Sequence, residues 1–137
     1  MAFVLDASVT AAWMLPDESN PLADHVEDLL LDHHAFVPAV WRLEVCNILI
    51  VAERRKRLSG SQINLIQNSL AELPILVDNK GDGRELIEIA RRNKLTAYDA
   101  SYIELAKRSM LPLATLDKAM ARAAINEQVD LVLAISG

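Results

Sequence analysis

Phe3-Val4-Leu5-Asp6-Ala7-Ser8 runs three apolar residues into an acid, a small residue and a serine. This pattern predicts a short buried strand that ends at a carboxylate. Parallel strands covered on both faces read as unbroken apolar runs, and ligands of open α/β sheets bind just beyond the strands' carboxyl ends. Asp6 is therefore expected to face a crevice. Ser8 is expected to cap a short helix through Trp13 and Met14, which stops before Leu15-Pro16.

Outward from this stretch, strands and helices alternate. Pro16 to Asn20 reads as a turn, and Pro21 opens a helix with an apolar stripe of Leu22, Val26, Leu29 and Leu30. That helix is expected to end near His33-His34. Phe36-Val37 is a very short strand, and Pro38 is expected to start the most hydrophobic helix. Apolar almost all round from Val40 to Ala52, it is expected to be buried. Ser59-Gly60-Ser61 caps another amphipathic helix. Pro74 to Val77 is a strand ending at Asp78, Leu86 to Ala90 mark a helix, and Thr96 caps a further helix from Ala97 to Arg108. Leu111 to Thr115 is a strand, followed by a helix from Asp117 through Ala124 and a last strand at Leu131-Val132-Leu133. The alternation predicts an α/β protein of three α/β/α layers with a central parallel sheet of about five strands. No repeat, low-complexity tract or linker interrupts it, so residues 1–137 are expected to form a single domain.

A chain of 137 residues that is 52% apolar can bury a proper core. No apolar run approaches the ~20 residues of a membrane span, and the N-terminus lacks a secretory pattern, so a cytoplasmic protein is expected. The lone Cys46 excludes an internal disulfide and a zinc site of paired thiolates. In its apolar run it reads as a buried structural thiol. A net charge of −5 argues mildly against nucleic-acid binding. That objection weakens if several acids share one cation, which reverses the local sign.

Four acids fall where they can meet. Asp6 ends the first strand, and Glu44 is the only acid inside the most apolar helix. A buried isolated carboxylate is normally protonated, paired or bound to a cation. Asn47, three residues on, lies on the same helical face and could orient it. Asp99 lies in the first turn of its helix, where the dipole favours an anion. Asp117 follows Thr115 by two residues, repeating the spacing of Asp6 and Ser8. Singly, Asp6, Asp99 and Asp117 read as turn, helix-start or cap residues. Together they gather at one edge of a parallel sheet, and packed carboxylates raise each other's pKa unless a cation intervenes. All-oxygen donors select Mg²⁺ or Mn²⁺, which generate hydroxide from water and clamp phosphodiester oxygens. Metal-dependent phosphoryl chemistry is the expectation.

Other features read more blandly. His25, His33 and His34 are taken as surface residues of a solvent-facing helix. Consecutive Arg54-Arg55-Lys56-Arg57 spread round a helix axis, and Trp13 and Trp41 read as core or dimer contacts. An aspartyl-phosphate phosphatase would want a second acid where Ser8 stands. A phospho-receiver domain would want paired acids after the first strand. A non-catalytic interaction module is the main alternative outside enzymes.

Val4-Leu5-Asp6-Ala7-Ser8 with Trp13 to Glu18, Val37-Pro38 with Glu44 and Asn47, Leu95 to Tyr102, and Leu111 to Asp117 occur in order along nearly the whole chain. In these segments the sequence resembles the PIN-domain nucleases, specifically the VapC-type toxins of toxin–antitoxin pairs. The resemblance implies a PIN fold and a Mg²⁺- or Mn²⁺-dependent ribonuclease. Its acidic positions fall on Asp6, Glu44, Asp99 and Asp117 as catalytic and metal-binding residues. Asp6, Glu44 and Asp99 would hold the principal metal, with Asp117 completing the pocket or helping a second metal. Ser8 and Thr115 match the supporting hydroxyls. The resemblance further implies an RNA substrate, a homodimer and a VapB-type antitoxin that covers the groove.

Overall fold

A computed structural model describes residues 2–134. Four strands form one sheet in the order β3-β2-β1-β4: β1 (Ala2–Leu5), β2 (His34–Pro38), β3 (Ile75–Asp78) and β4 (Leu113–Ala114). Every pairing is parallel, with Val4 opposite both Phe36 and Leu113, and Leu5 opposite Ala114. Phe3, Val4 and Leu5 of β1 are fully buried, as a central strand covered on both faces requires. The expected fifth strand is reduced to one parallel bridge, Leu113 to Leu131. The two-residue β4 offers its outer neighbour too short an edge for a ladder.

Helices α1 (Ala7–Met14), α2 (Pro21–Leu29), α3 (Val40–Arg54) and α4 (Gly60–Ala71) fill the crossovers from β1 to β2 to β3. Helices α5 (Gly83–Asn93) and α6 (Ala97–Ser109) return the chain to β4, and α7 (Lys118–Asn126) follows it. Right-handed crossovers in opposite directions put the first four helices on one face of the sheet and the last three on the other. The packing agrees, since α1 meets α2 and α3 while α6 meets α5, α7, β1, β2 and β4. The three-layer α/β/α arrangement is as expected from the sequence. The chain reverses direction between β1 and β4, so this sheet has its topological switch point there.

Three local expectations change. Helix α3 is not buried all round. Trp41, Val45, Leu49 and Ala52 form its one buried stripe, whereas Leu43 is 71% and Ile50 45% exposed. Within the chain it packs mainly on α1 and β2, borders α4 along a surface hollow and reaches α6 through Glu44, and Cys46 is only half-buried. The most enclosed helix is instead α6, with Tyr102, Ile103, Leu105 and Ala106 at its centre. Helix α2 stops at Leu29, well before the histidines, and His34 opens β2. There the backbone gives up helix for a sheet ladder with Ala2. Ser8, finally, is not a cap. Helix α1 begins at Ala7 directly after Asp6, which leaves Ser8 inside the first turn.

Both tryptophans belong to the fold, as read. Trp41 Nε1 donates to Thr10 Oγ1 at 3.1 Å, and Trp13 Nε1 donates to the Ala23 carbonyl at 2.7 Å. Within the basic run, Arg57 is held by Asp17 at 2.6 Å and Glu18 at 3.4 Å. No helix among the described residues is long and apolar enough to cross a membrane.

Candidate active site

The cleft lies beyond the carboxyl ends of β1 and β4, at the switch point. The register that sets Leu5 beside Ala114 carries on to set Thr115 beside Asp6. Thr115 Oγ1 donates to Asp6 Oδ2 at 2.7 Å, and Ser8 Oγ donates to the same oxygen at 2.7 Å. The two hydroxyls are themselves fixed, because Ser8 Oγ accepts from Leu116 N at 2.9 Å and Thr115 Oγ1 from Asp117 N at 3.0 Å. One short hydroxyl network therefore ties the end of β1 to the loop after β4.

Asp117 and Asp99 arrive on helix starts. Asp117 is the N-cap of α7, its Oδ1 accepting from Ala119 N at 2.8 Å and Met120 N at 3.2 Å. Asp99 lies in the first turn of α6, whose N-cap Thr96 accepts from Asp99 N at 3.1 Å. Glu44 comes from the second turn of α3, on the opposite face of the sheet from α6. Asp6, Glu44, Asp99 and Asp117 all line one open cleft of about 270 Å³, together with Ala7, Ser8, Asn47 and Ile48. Asn47 borders the cleft but makes no hydrogen bond to Glu44. That carboxylate is instead held by Tyr102, whose hydroxyl donates to Glu44 Oε1 at 2.5 Å. Tyr102 stands three residues after Asp99 on α6, the one signal in the sequence that could have drawn it to this edge.

The electrostatics of these acids differ from those of every other enclosed carboxylate. Burial pushes Asp6 above its ordinary value, against the two hydroxyl bonds, and Asp117 raises it further. Burial also raises Glu44, opposed by Tyr102 and reinforced by Asp6 and Asp99. Asp99 is raised by burial and then by Asp6 and Asp117. No ion pair reaches any of the four among the described residues. Glu104 and Glu127, which the sequence reading did not single out, are more deeply buried than Glu44 but are matched by cations. Arg108 lies 2.7 Å from Glu104, and Arg92 and Lys107 lie 2.8 and 2.9 Å from Glu127. Elsewhere the fold neutralises its buried acids; in the cleft it leaves them facing one another.

The PIN domain family model matches residues 3–126. This chain belongs to the PIN domain family. Among the solved structures that share the fold of this PIN domain are two of low sequence identity. One is PAE2754 from Pyrobaculum aerophilum, 21% identical, with a TM-score of 0.71 over 90% of this chain and 84% of that one. The other is FitAcB from Neisseria gonorrhoeae, 20% identical, with a TM-score of 0.62 over 97% of each chain. No curated protein matches.

PIN nucleases generally use divalent metals, and the cleft's fit to one can be judged from its donors. Among the described residues no three acid, histidine or cysteine side chains converge closely enough to ligate an ion together. The donor set is nevertheless all carboxylate, hard and unpaired, and mutual repulsion is the strain a cation relieves. Mg²⁺ in particular takes one or two carboxylates directly and keeps several of its waters. The residues fit a hydrated cation better than a closed protein cage.

Proposed function

We propose that this PIN domain is a Mg²⁺- or Mn²⁺-dependent endoribonuclease, the toxin of a VapC-type toxin–antitoxin pair. One observation carries the reading: four carboxylates from four separate elements line a single cleft at the switch point, with no basic side chain among the described residues to neutralise them. Asp6, Glu44 and Asp99 would hold the principal cation, directly or through water, and Asp117 would complete the pocket while capping α7. When bound, the cation supplies water activation and neutralises charge on the phosphodiester.

The chain's own residues then have distinct tasks. Ser8 and Thr115 fix Asp6 Oδ2 and so set the plane of its carboxylate. Asp117 is held by its own cap bonds, which limit its drift as charge accumulates. The open cleft admits an extended RNA strand rather than enclosing a small molecule. In-line attack by water leaves a 5′-phosphate and a 3′-hydroxyl. The apolar outer side of α3, with Leu43 and Ile50 exposed, suits a chain that works against protein partners, here a second copy and a VapB-type antitoxin.

The test is cleavage of a labelled RNA pool by antitoxin-free protein, with Mn²⁺ or Mg²⁺, with chelator, and beside Asp6→Asn. Metal-dependent cutting that Asp6→Asn abolishes is the expected result. A 2′,3′-cyclic phosphate product would sink the mechanism, because the ribose hydroxyl would then be the nucleophile. The wide spacing of the acids favours one second reading, a PIN-fold interaction module without catalysis. Absence of Mn²⁺ binding heat would support that reading instead.

A further inference from the structure

Tyr102 is fully buried at the centre of α6, yet its phenol points its proton at the cleft. A buried tyrosine needs an acceptor for its hydroxyl. A purely structural tyrosine would be satisfied by any core carbonyl, but this one takes a carboxylate from the helical layer on the other side of the sheet. The bond thus joins α6 to α3 across the carboxyl edge. Asp99, three residues earlier on α6, lies on the same helical face. One helix therefore brings both an acid and a hydrogen-bond donor to the cleft.

For Glu44 the bond is singular. Its carboxylate has no cationic partner, and Tyr102 is its one hydrogen-bond donor among the described residues. Because no buried side-chain oxygen there lacks a partner, the second oxygen, Oε2, is open to solvent. Glutamate reaches its carboxylate through three rotatable bonds, and ordering such a side chain costs conformational entropy. A donor that pins one oxygen bears that cost before any ligand arrives.

We propose that Tyr102 is a positioning residue, whose hydroxyl pins Glu44 Oε1 so that Oε2 is presented to a divalent cation or its water. This rests on the metal reading of the cleft. Residues that orient a ligand without touching the metal typically contribute about 10–100-fold to affinity.

The experiment is Mn²⁺ calorimetry on the wild type, Tyr102→Phe, Glu44→Gln and the double variant, with a thermal melt of each. Tyr102→Phe should melt close to the wild type and bind Mn²⁺ about 10-fold more weakly. In the Glu44→Gln background the same change should have no further effect, because Tyr102 acts through Glu44. If the wild type binds Mn²⁺ and Tyr102→Phe binds it within about twofold, Tyr102 is structural and the inference fails while the metal reading stands. A wild type that binds no Mn²⁺ overturns both. Should Tyr102→Phe not fold, wild-type protein labelled with ¹³C at tyrosine Cζ gives the same answer by NMR. Mg²⁺ should then move the Tyr102 signal, assigned by Tyr98→Phe, and an unmoved signal overturns the inference.

Discussion

Replacing Glu127 by glutamine should destabilise the protein at neutral pH and progressively less as the solution is acidified. Glu127 follows α7, its side chain is only 4% exposed, and it accepts from Arg92 twice, at 2.8 and 3.0 Å, from Lys107 at 2.9 Å and from Asn93 at 2.8 Å. The Arg92 guanidinium is the main reason its pKa falls from an ordinary 4.5 to about 2, with Asn93 and Lys107 adding to it against the cost of burial. At 1.36 kcal/mol per pH unit that gap corresponds to roughly 3 kcal/mol. Arg92 is 44% and Lys107 33% exposed, so solvent screens the attraction and about half, roughly 1.5 kcal/mol, is the expected net effect.

The sign follows from the depressed folded pKa. The stabilisation is complete above about 4.5, shrinks as pH falls towards 2, and retains about two-fifths of its value at pH 3. Urea unfolding of wild type and Glu127→Gln at pH 7, 5, 4 and 3 measures it directly. The two curves should be about 1.5 kcal/mol apart at pH 7 and converge on acidification. A difference below about 0.5 kcal/mol at pH 7, or one that does not shrink with acid, would refute the reasoning. The clamp also matters to the cleft, since it joins α5, α6 and α7, two of which start with Asp99 and Asp117.

Asp6, Glu44 and Asp99 should show the opposite behaviour. Asp99 stands above its ordinary value because burial, Asp6 and Asp117 disfavour its charge, so its ionisation costs stability at neutral pH and nothing well below its ordinary value of 3.8. Metal-free Asp99→Asn should therefore melt higher than metal-free wild type at pH 7, and an equal or lower melt contradicts this. Mn²⁺ should raise the wild-type melting temperature in proportion to the logarithm of its concentration, and chelator should reverse the shift; Asp6→Asn should show no shift. Asp117→Ala should cost about 1 kcal/mol in urea unfolding through loss of the α7 cap, whereas Asp117→Asn should keep the cap and weaken only Mn²⁺ binding. Thr115→Val removes the hydroxyl shared by Asp6 and the Asp117 amide, and should cost about 1–3 kcal/mol of stability by the same assay.

What the sequence made legible was whatever is encoded by neighbours along the chain. β1 could be read from three apolar residues because a central parallel strand needs nothing else, and the four acids could be placed because each stands at a strand end or an early helical turn. Failures came where the deciding partner is distant. Glu127 meets Arg92 across 35 residues and Glu44 meets Tyr102 across 58, so neither the neutralised acid nor the oriented one has a local signature. Asn47, the local candidate for orienting Glu44, was preferred for its nearness in sequence and does not make the contact. Helix α3 failed for a different reason. Its composition reports how much apolar surface it carries, and the chain alone covers only the stripe from Trp41 to Ala52. Leu43 and Ile50 stay exposed, as single apolar side chains on a folded surface commonly do, so composition alone does not tell which apolar positions of this helix the fold will cover. The acids were legible for the converse reason, because each stands at a strand end or an early helical turn that its own neighbours in sequence define.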